Sequence, residues 1–392
     1  MEGRGRLFGA LVVCVFAAVG GALTGVISYA FLRALDWATD TRTANGWLQW
    51  LLPLAGAVVA GTYHQWGGRA KGGTPYVIEQ SHTFTHGVPA RMAPFIFGGA
   101  TIGHLFGASV GREGAALQMA GSVTDTAARA ARLSPQQRRT LVVASLAGGW
   151  GAVFAVPVTG VVFALQVCRR HRLRALVPAV IAAFTGKWVV HLLGYELGDR
   201  PRLPRAEWTV GLPFKFALFG IAVGVLARLF VSTVKLVRRR ATRWFHRPVV
   251  RAMAGGVATI AMVWLFGRGY VGLSTPLYSN AIAGGDVSVW EPILKLLFTA
   301  VALGTGYVGG EVLPLFVMGA TLGGAMGPGL GASGPLFAAT GAPAAFASAA
   351  SVALTGVVLS VEQFGSGVLV PALIVGMFAR FAAGRPGLYR AH

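Results

Sequence analysis

Long apolar runs alternate along the chain with short polar stretches. Runs over residues 7–32, 141–167, 175–193, 210–234 and 290–322 carry few charges. Each is close to or above the roughly 20 residues that a helix needs to cross a bilayer core of about 30 Å. They predict membrane-spanning helices, with shorter glycine-broken apolar segments between them. The first run follows Arg4 and Arg6 as a signal peptide would. It is too long for a usual signal core and lacks a clear small-residue cleavage site, so it reads as a retained helix.

Basic residues gather in the polar stretches 129–132, 136–139, 169–174 and 235–251. Cationic loops beside apolar spans mark the cytoplasmic side. None of these clusters sits in a nucleic-acid-binding motif, so nucleic acid is not an expected partner.

Composition sharpens the class. Of 392 residues, 54% are hydrophobic and 12% charged, the formal net charge is +21, and mean hydropathy is +0.62, well outside the range of soluble domains. The 56 glycines follow no short period, which suits membrane helices that pack closely or stop halfway through the bilayer. Cys14 and Cys168 fall in or beside apolar runs without metal-ligand spacing and read as packing residues. No HExxH or paired intramembrane Asp motif supports an intramembrane hydrolase, so the chain is not expected to be an enzyme.

The chain also matches itself. Gly111-Arg112-Glu113-Gly114 aligns with Gly309-Gly310-Glu311-Val312, and at nearly the same offset Thr159-Gly160-Val161-Val162 aligns with Thr355-Gly356-Val357-Val358. Shared order and spacing predict two related halves, 1–200 and 201–392, divided near residues 200–205.

Of the 13 acidic residues, most, Asp36 and Asp125 among them, lie in polar segments near the expected surfaces. Glu113, Glu311 and Glu362 instead lie in glycine-rich apolar sequence, where an ionised carboxylate costs several kcal/mol and a functional role is the default. Desolvation there favours proton exchange. Glu113 precedes an expected helix over 115–120, and a helix start with unpaired N–H groups can hold either an anion or a carboxylate that imitates one. The alternative is a structural pair with Arg112, although adjacent helical residues do not face each other. In the second half, Gly309 and Gly310 favour irregular backbone, and Pro314 fits the first turn of a helix through 315–321. His104, on an apolar face without a second ligand, reads as a satisfied core histidine.

These residues carry a resemblance. Lys71-Gly72-Gly73, Gly111-Arg112-Glu113-Gly114, Gly309-Gly310-Glu311-Val312-Leu313-Pro314 and Gly384-Arg385-Pro386-Gly387-Leu388-Tyr389 occur in the order of the four anion-site segments of CLC anion channels and transporters. The segment from Leu354-Thr355-Gly356 through Glu362 resembles a family interface helix. The resemblance implies an all-α integral membrane protein of two inverted repeats with many tilted and broken helices. It also implies a homodimer with one pathway per subunit, no cofactor and no metal. Glu113 would be the external gate and proton carrier, and Tyr389 would line the inner side of the path. Gly73, Thr74, Gly111, Arg112, Gly114, Gly310, Val312 and Leu313 would surround the anion.

The departures are informative. Where chloride members read GSGIP, this chain has Gly72-Gly73-Thr74-Pro75-Tyr76; it has Gly309-Gly310-Glu311-Val312 in place of GxFxP and no proline after GREG. These forms are similar to the fluoride-exporting branch. Stripping water from small, strongly hydrated fluoride requires dense hydrogen-bond donors, and a protonated Glu311 would be one. Gln166 and Val167 stand where chloride antiporters hold an internal proton-transfer glutamate. Either proton transfer rests on Glu113 with Glu311 alone, the favoured expectation, or the protein is an uncoupled channel. The expectation is a fluoride/proton antiporter, multi-pass in the cell membrane with both termini cytoplasmic, and a chloride transporter or channel is the alternative. The chain ends soon after Tyr389, and no cytoplasmic regulatory domain is expected.

Overall fold

The computed structural model describes residues 2–168, 172–196 and 201–389. Among them are sixteen α-helices and no strand longer than a single bridge. The first eight are α1 (Glu2–Ala44), α2 (Leu52–Trp66), α3 (Gly73–His82), α4 (Met92–Phe106), α5 (Glu113–Ala130), α6 (Pro135–Phe154), α7 (Pro157–Val167) and α8 (Arg172–Leu192). The second eight are α9 (Leu212–Trp244), α10 (Pro248–Phe266), α11 (Thr275–Ala283), α12 (Glu291–Thr305), α13 (Val312–Gly329), α14 (Gly334–Ala350), α15 (Ala353–Phe364) and α16 (Leu369–Ala383). Six of the described helices are long and apolar enough to cross a membrane.

Two expected spans are broken. The run 141–167 divides where Ala155 turns left-handed (φ +51°) and Pro157 opens α7, since the residue before a proline is steered away from helical backbone. The run 290–322 divides at Gly306 (φ +111°), a conformation that glycine adopts without strain. The basic stretch 235–251 is not a loop: α9 carries it as a helix to Trp244, and α10 resumes at Pro248. The 169–171 part of another basic cluster lies outside the described residues.

Helices α13 and α14 are apolar on every side and nearly fully buried, as expected of central helices. They approach so closely at Gly319 and Gly341 that a Cβ on either would overlap the other's backbone. Around them α1 packs on α8 as α9 packs on α16, and α5 on α6 as α13 on α14.

The short helices α7 and α15 cap each other. The Glu362 carboxylate of α15 accepts from the Val158 and Thr159 N–H groups (3.1 and 2.7 Å) and the Thr159 hydroxyl (2.6 Å). Gln166 of α7 accepts from the N–H and hydroxyl of Thr355 (2.7 and 2.6 Å). Thr159 and Gln166 stand at the same offset from Thr355 and Glu362, so one cap repeats in both halves. Glu362 thus serves as a cap for the start of α7. Asp125, expected near a surface, is fully buried. It accepts two hydrogen bonds from Arg138 (2.9 Å each), one from Arg129 (3.1 Å) and one from the Val88 N–H (2.8 Å).

Glu362→Ala leaves the first N–H groups of α7 unpaired and is expected to cost about 1–2 kcal/mol. A lowered thermal unfolding midpoint in detergent, largely restored in Glu362→Gln, is the expected readout.

Candidate functional site

The site is built where the two halves cross. Gly111 and Gly310 exchange backbone hydrogen bonds, N–H to O, at 2.5 and 2.6 Å in an antiparallel bridge. A Cβ on Gly310 would stand 2.6 Å from the Gly114 nitrogen, and one on Gly111 would stand 2.8 Å from Pro314 Cδ, so only glycine permits the crossing. The bridge places the starts of α5 and α13 against each other.

Glu113 is the first residue of α5 and only 2% exposed. Its Oε2 accepts from the Arg112 N–H and from the Leu313 N–H, both at 3.1 Å. The second bond matters most, because Leu313 lies in the first turn of α13, whose free N–H groups and positive dipole end attract an anion. The carboxylate therefore sits against a helix start of the opposite half, a place whose free N–H groups suit a negative charge. Its Oε1 has no hydrogen-bond partner and lies 3.6 Å from Arg112 Nε. Arg112 precedes the helix, so its side chain folds back beside Glu113, a contact that the rule for adjacent helical residues did not anticipate.

Glu311 occupies the position before α13 without a side-chain capping bond, and it lines a cavity of about 640 Å³ with Gly73, Thr74, Gln118 and Leu388. The Tyr389 hydroxyl lies beside Glu311, outside hydrogen-bond geometry and otherwise unpartnered. The same cavity presents Lys71, Lys235, Arg238 and Arg251, a cationic mouth that concentrates anions. Val312 and Leu313 are buried behind Glu311.

Thr74 is close to Gly114 but its hydroxyl proton is committed: it donates to the Gly114 carbonyl at 3.1 Å and accepts from Gln118 Nε2 at 3.2 Å. The Gln118 carboxamide, absent from the residues expected around the anion, also lines the cavity and spends one N–H on Thr74. Its signal was local: after Glu113 it is the first polar side chain on α5. His104 is fully buried and holds Ala100 O through Nδ1 at 2.8 Å, but its Nε2 has no partner, so it is only half satisfied.

The profile of the voltage gated chloride channel family matches residues 55–384. The chain belongs to this family. A chloride/fluoride channel protein of Pseudomonas syringae pv. tomato is 35% identical over 383 residues, covering 94% of this chain and 83% of the relative. An H(+)/Cl(-) exchange transporter ClcA of Yersinia pseudotuberculosis is 26% identical over 433 residues, covering 97% of this chain and 87% of the relative. The crystal structure of a CLC-type fluoride/proton antiporter superimposes with a TM-score of 0.93 at 29% identity, covering 97% of both chains. The fold is the CLC fold.

For this CLC member, Thr74→Val removes both hydrogen bonds and leaves the buried Gln118 Nε2 without its acceptor, while the Gly114 carbonyl keeps its place in the α5 ladder. The expected loss is about 1–3 kcal/mol of stability with unchanged selectivity among anions. Thermal unfolding and anion efflux measured on the same sample separate the two effects.

Proposed function

We propose that this chain is a fluoride/proton antiporter that exports fluoride from the cytoplasm. The observation that carries the reading is the Glu113 carboxylate bonded to the Leu313 N–H, an acid resting where an anion would bind. While ionised it blocks the pathway. Once protonated it loses its charge attraction to the α13 start, swings away, and leaves that N–H to the anion. Gate opening and proton uptake are then one event.

Fluoride enters through the cationic mouth, which is the cytoplasmic side. It reaches Glu311, Gln118 and Tyr389, whose O–H and N–H groups replace its water. A protonated Glu311 donates to the ion, and its proximity to Glu113 couples the protonation of the two acids. With Gln166 and Val167 at the inner position, these acids carry the proton route. Two inverted halves, 1–200 and 201–392, build one pathway, the working protein is a homodimer in the cell membrane, and both termini are cytoplasmic.

Liposomes loaded with fluoride or chloride, read by ion-selective electrodes and a pH probe, are expected to release fluoride much faster and to take up protons with it. Comparable rates would assign the chain to chloride transport. Glu113→Gln, which resembles the protonated acid but cannot release a proton, is expected to abolish proton uptake driven by a fluoride gradient.

Glu311→Ala removes a hydrogen bond to an anion worth about 1.5–3 kcal/mol, about ten- to a hundredfold in fluoride affinity. Calorimetry on dimeric, monodisperse protein checks it, and wild-type affinity would remove Glu311 from the donor role.

A further inference from the structure

Both segments that meet at the Gly111–Gly310 crossing are irregular backbone, so each needs support from outside itself. In the second half the support is Tyr307, which is buried and donates its hydroxyl hydrogen to the Leu52 carbonyl at 2.9 Å. That hydroxyl fits a slot between Gly56 and Gly256, where a Cβ would stand 2.5 and 2.6 Å from it. In the first half the chain leaves α4 at Gly107 (φ +91°) and reaches Gly111 through Ala108, Ser109 and Val110 without helix.

Ser109 is where that segment is held. Its hydroxyl lies 3.0 Å from Thr299 Oγ1 and 3.0 Å from Lys295 Nζ, on two residues one turn apart on α12. Lys295 is fully buried, and an ionisable side chain in the apolar core of a membrane protein carries a role by default. Its other partners all lie in the loop between α10 and α11: Tyr270 O (3.2 Å), Gly272 O (2.8 Å) and Ser274 Oγ (2.9 Å). Of these four contacts, the one with Ser109 reaches the first half. The arrangement does not depend on charge. Carbonyls only accept while hydroxyls accept or donate, so an ammonium and a neutral amine can each satisfy three of the four. Ser109 is as fully buried as Lys295, so the pair acts by holding position rather than on a substrate. Helix α12 itself runs on through Gly306 into the 307–310 segment. One helix thus carries the second-half segment and, through Lys295 and Thr299, grips the first.

We propose that Lys295 is a positioning residue for the Glu113 gate: through Ser109, and with Thr299 beside it, it holds the 107–111 segment so that the carboxylate just beyond stays against the Leu313 N–H. The consequence for proton coupling rests on the transport reading above, whereas the bracing of the segment does not. Without the brace the Gly111–Gly310 bridge opens more often. Glu113 then leaves the α13 start without being protonated, and fluoride passes without its proton.

The test uses the full-length protein and two variants. Ser109→Ala removes the Ser109 contacts and leaves Lys295 its three other oxygens, whereas Lys295→Met keeps the length of the side chain and removes all four. Thr259→Val is the control, since it deletes a buried hydroxyl bonded within its own helix to Gly255 O at 2.9 Å. Hydrogen–deuterium exchange of the 107–113 amides is expected to quicken about five- to tenfold in Ser109→Ala and Lys295→Met and to stay unchanged in the control. In liposomes both variants are expected to take up fewer protons per fluoride released than the wild type and the control. Wild-type exchange over 107–113 in both variants would overturn the proposal. So would a loosened segment or a lowered unfolding midpoint with a wild-type ratio of protons to fluoride, which is the mark of packing alone. A wild type that releases fluoride without protons would instead overturn the transport reading, and exchange over 107–113 would then decide the brace by itself.

Discussion

The mutual hydrogen bonding of Gly111 and Gly310 is the constraint on which the rest depends. It fixes the starts of two helices from opposite halves within reach of each other, and a side chain on Gly310 would collide with the Gly114 and Glu113 nitrogens. Because the crossing consumes the peptide groups of two glycines, the N–H groups just beyond it remain available. Leu313 then offers its N–H to Glu113 rather than to its own half. An acid from one half thus closes a helix start in the other, and the site exists only when both halves are docked.

Around that crossing, charge is scarce and mostly committed. Asp125 is surrounded by Arg138, Arg129 and the Val88 N–H; Glu362 holds the start of α7; Lys295 is enclosed by oxygens. In low dielectric an unsatisfied polar group is expensive, so such commitments are what permits charged residues in the interior. Groups that escape this rule stand out. Glu113 Oε1 lacks a hydrogen bond, the Tyr389 hydroxyl faces Glu311 without one, and Arg42 and His104 keep unpartnered nitrogens.

The paired caps between α7 and α15 show the same economy in a structural role. Gln166 and Glu362 occupy equivalent places in the two halves, and each satisfies the helix start of the other. An amide suffices at one and a carboxylate stands at the other because both tasks need only an acceptor. Gln166 therefore forms its cap without a titrating group.

The membrane class, the segments that meet at the site and the candidate acids were legible along the chain, because a carboxylate or a glycine pair inside an apolar run contradicts its immediate neighbours and needs no partner to be noticed. The same local view placed Asp125 at a surface, missed the cap that Glu362 forms and merged helices that break at Ala155 and Gly306. Those outcomes depend on partners far away in sequence. Leu313 and Glu113 are 200 residues apart, and Lys295 and Ser109 186. Thr74 donates its hydroxyl hydrogen bond to the Gly114 carbonyl across 40 residues. Hydrogen bonds of that range leave no periodicity in the chain; only the docking of one half on the other decides which polar groups are spent and which remain free to meet an ion.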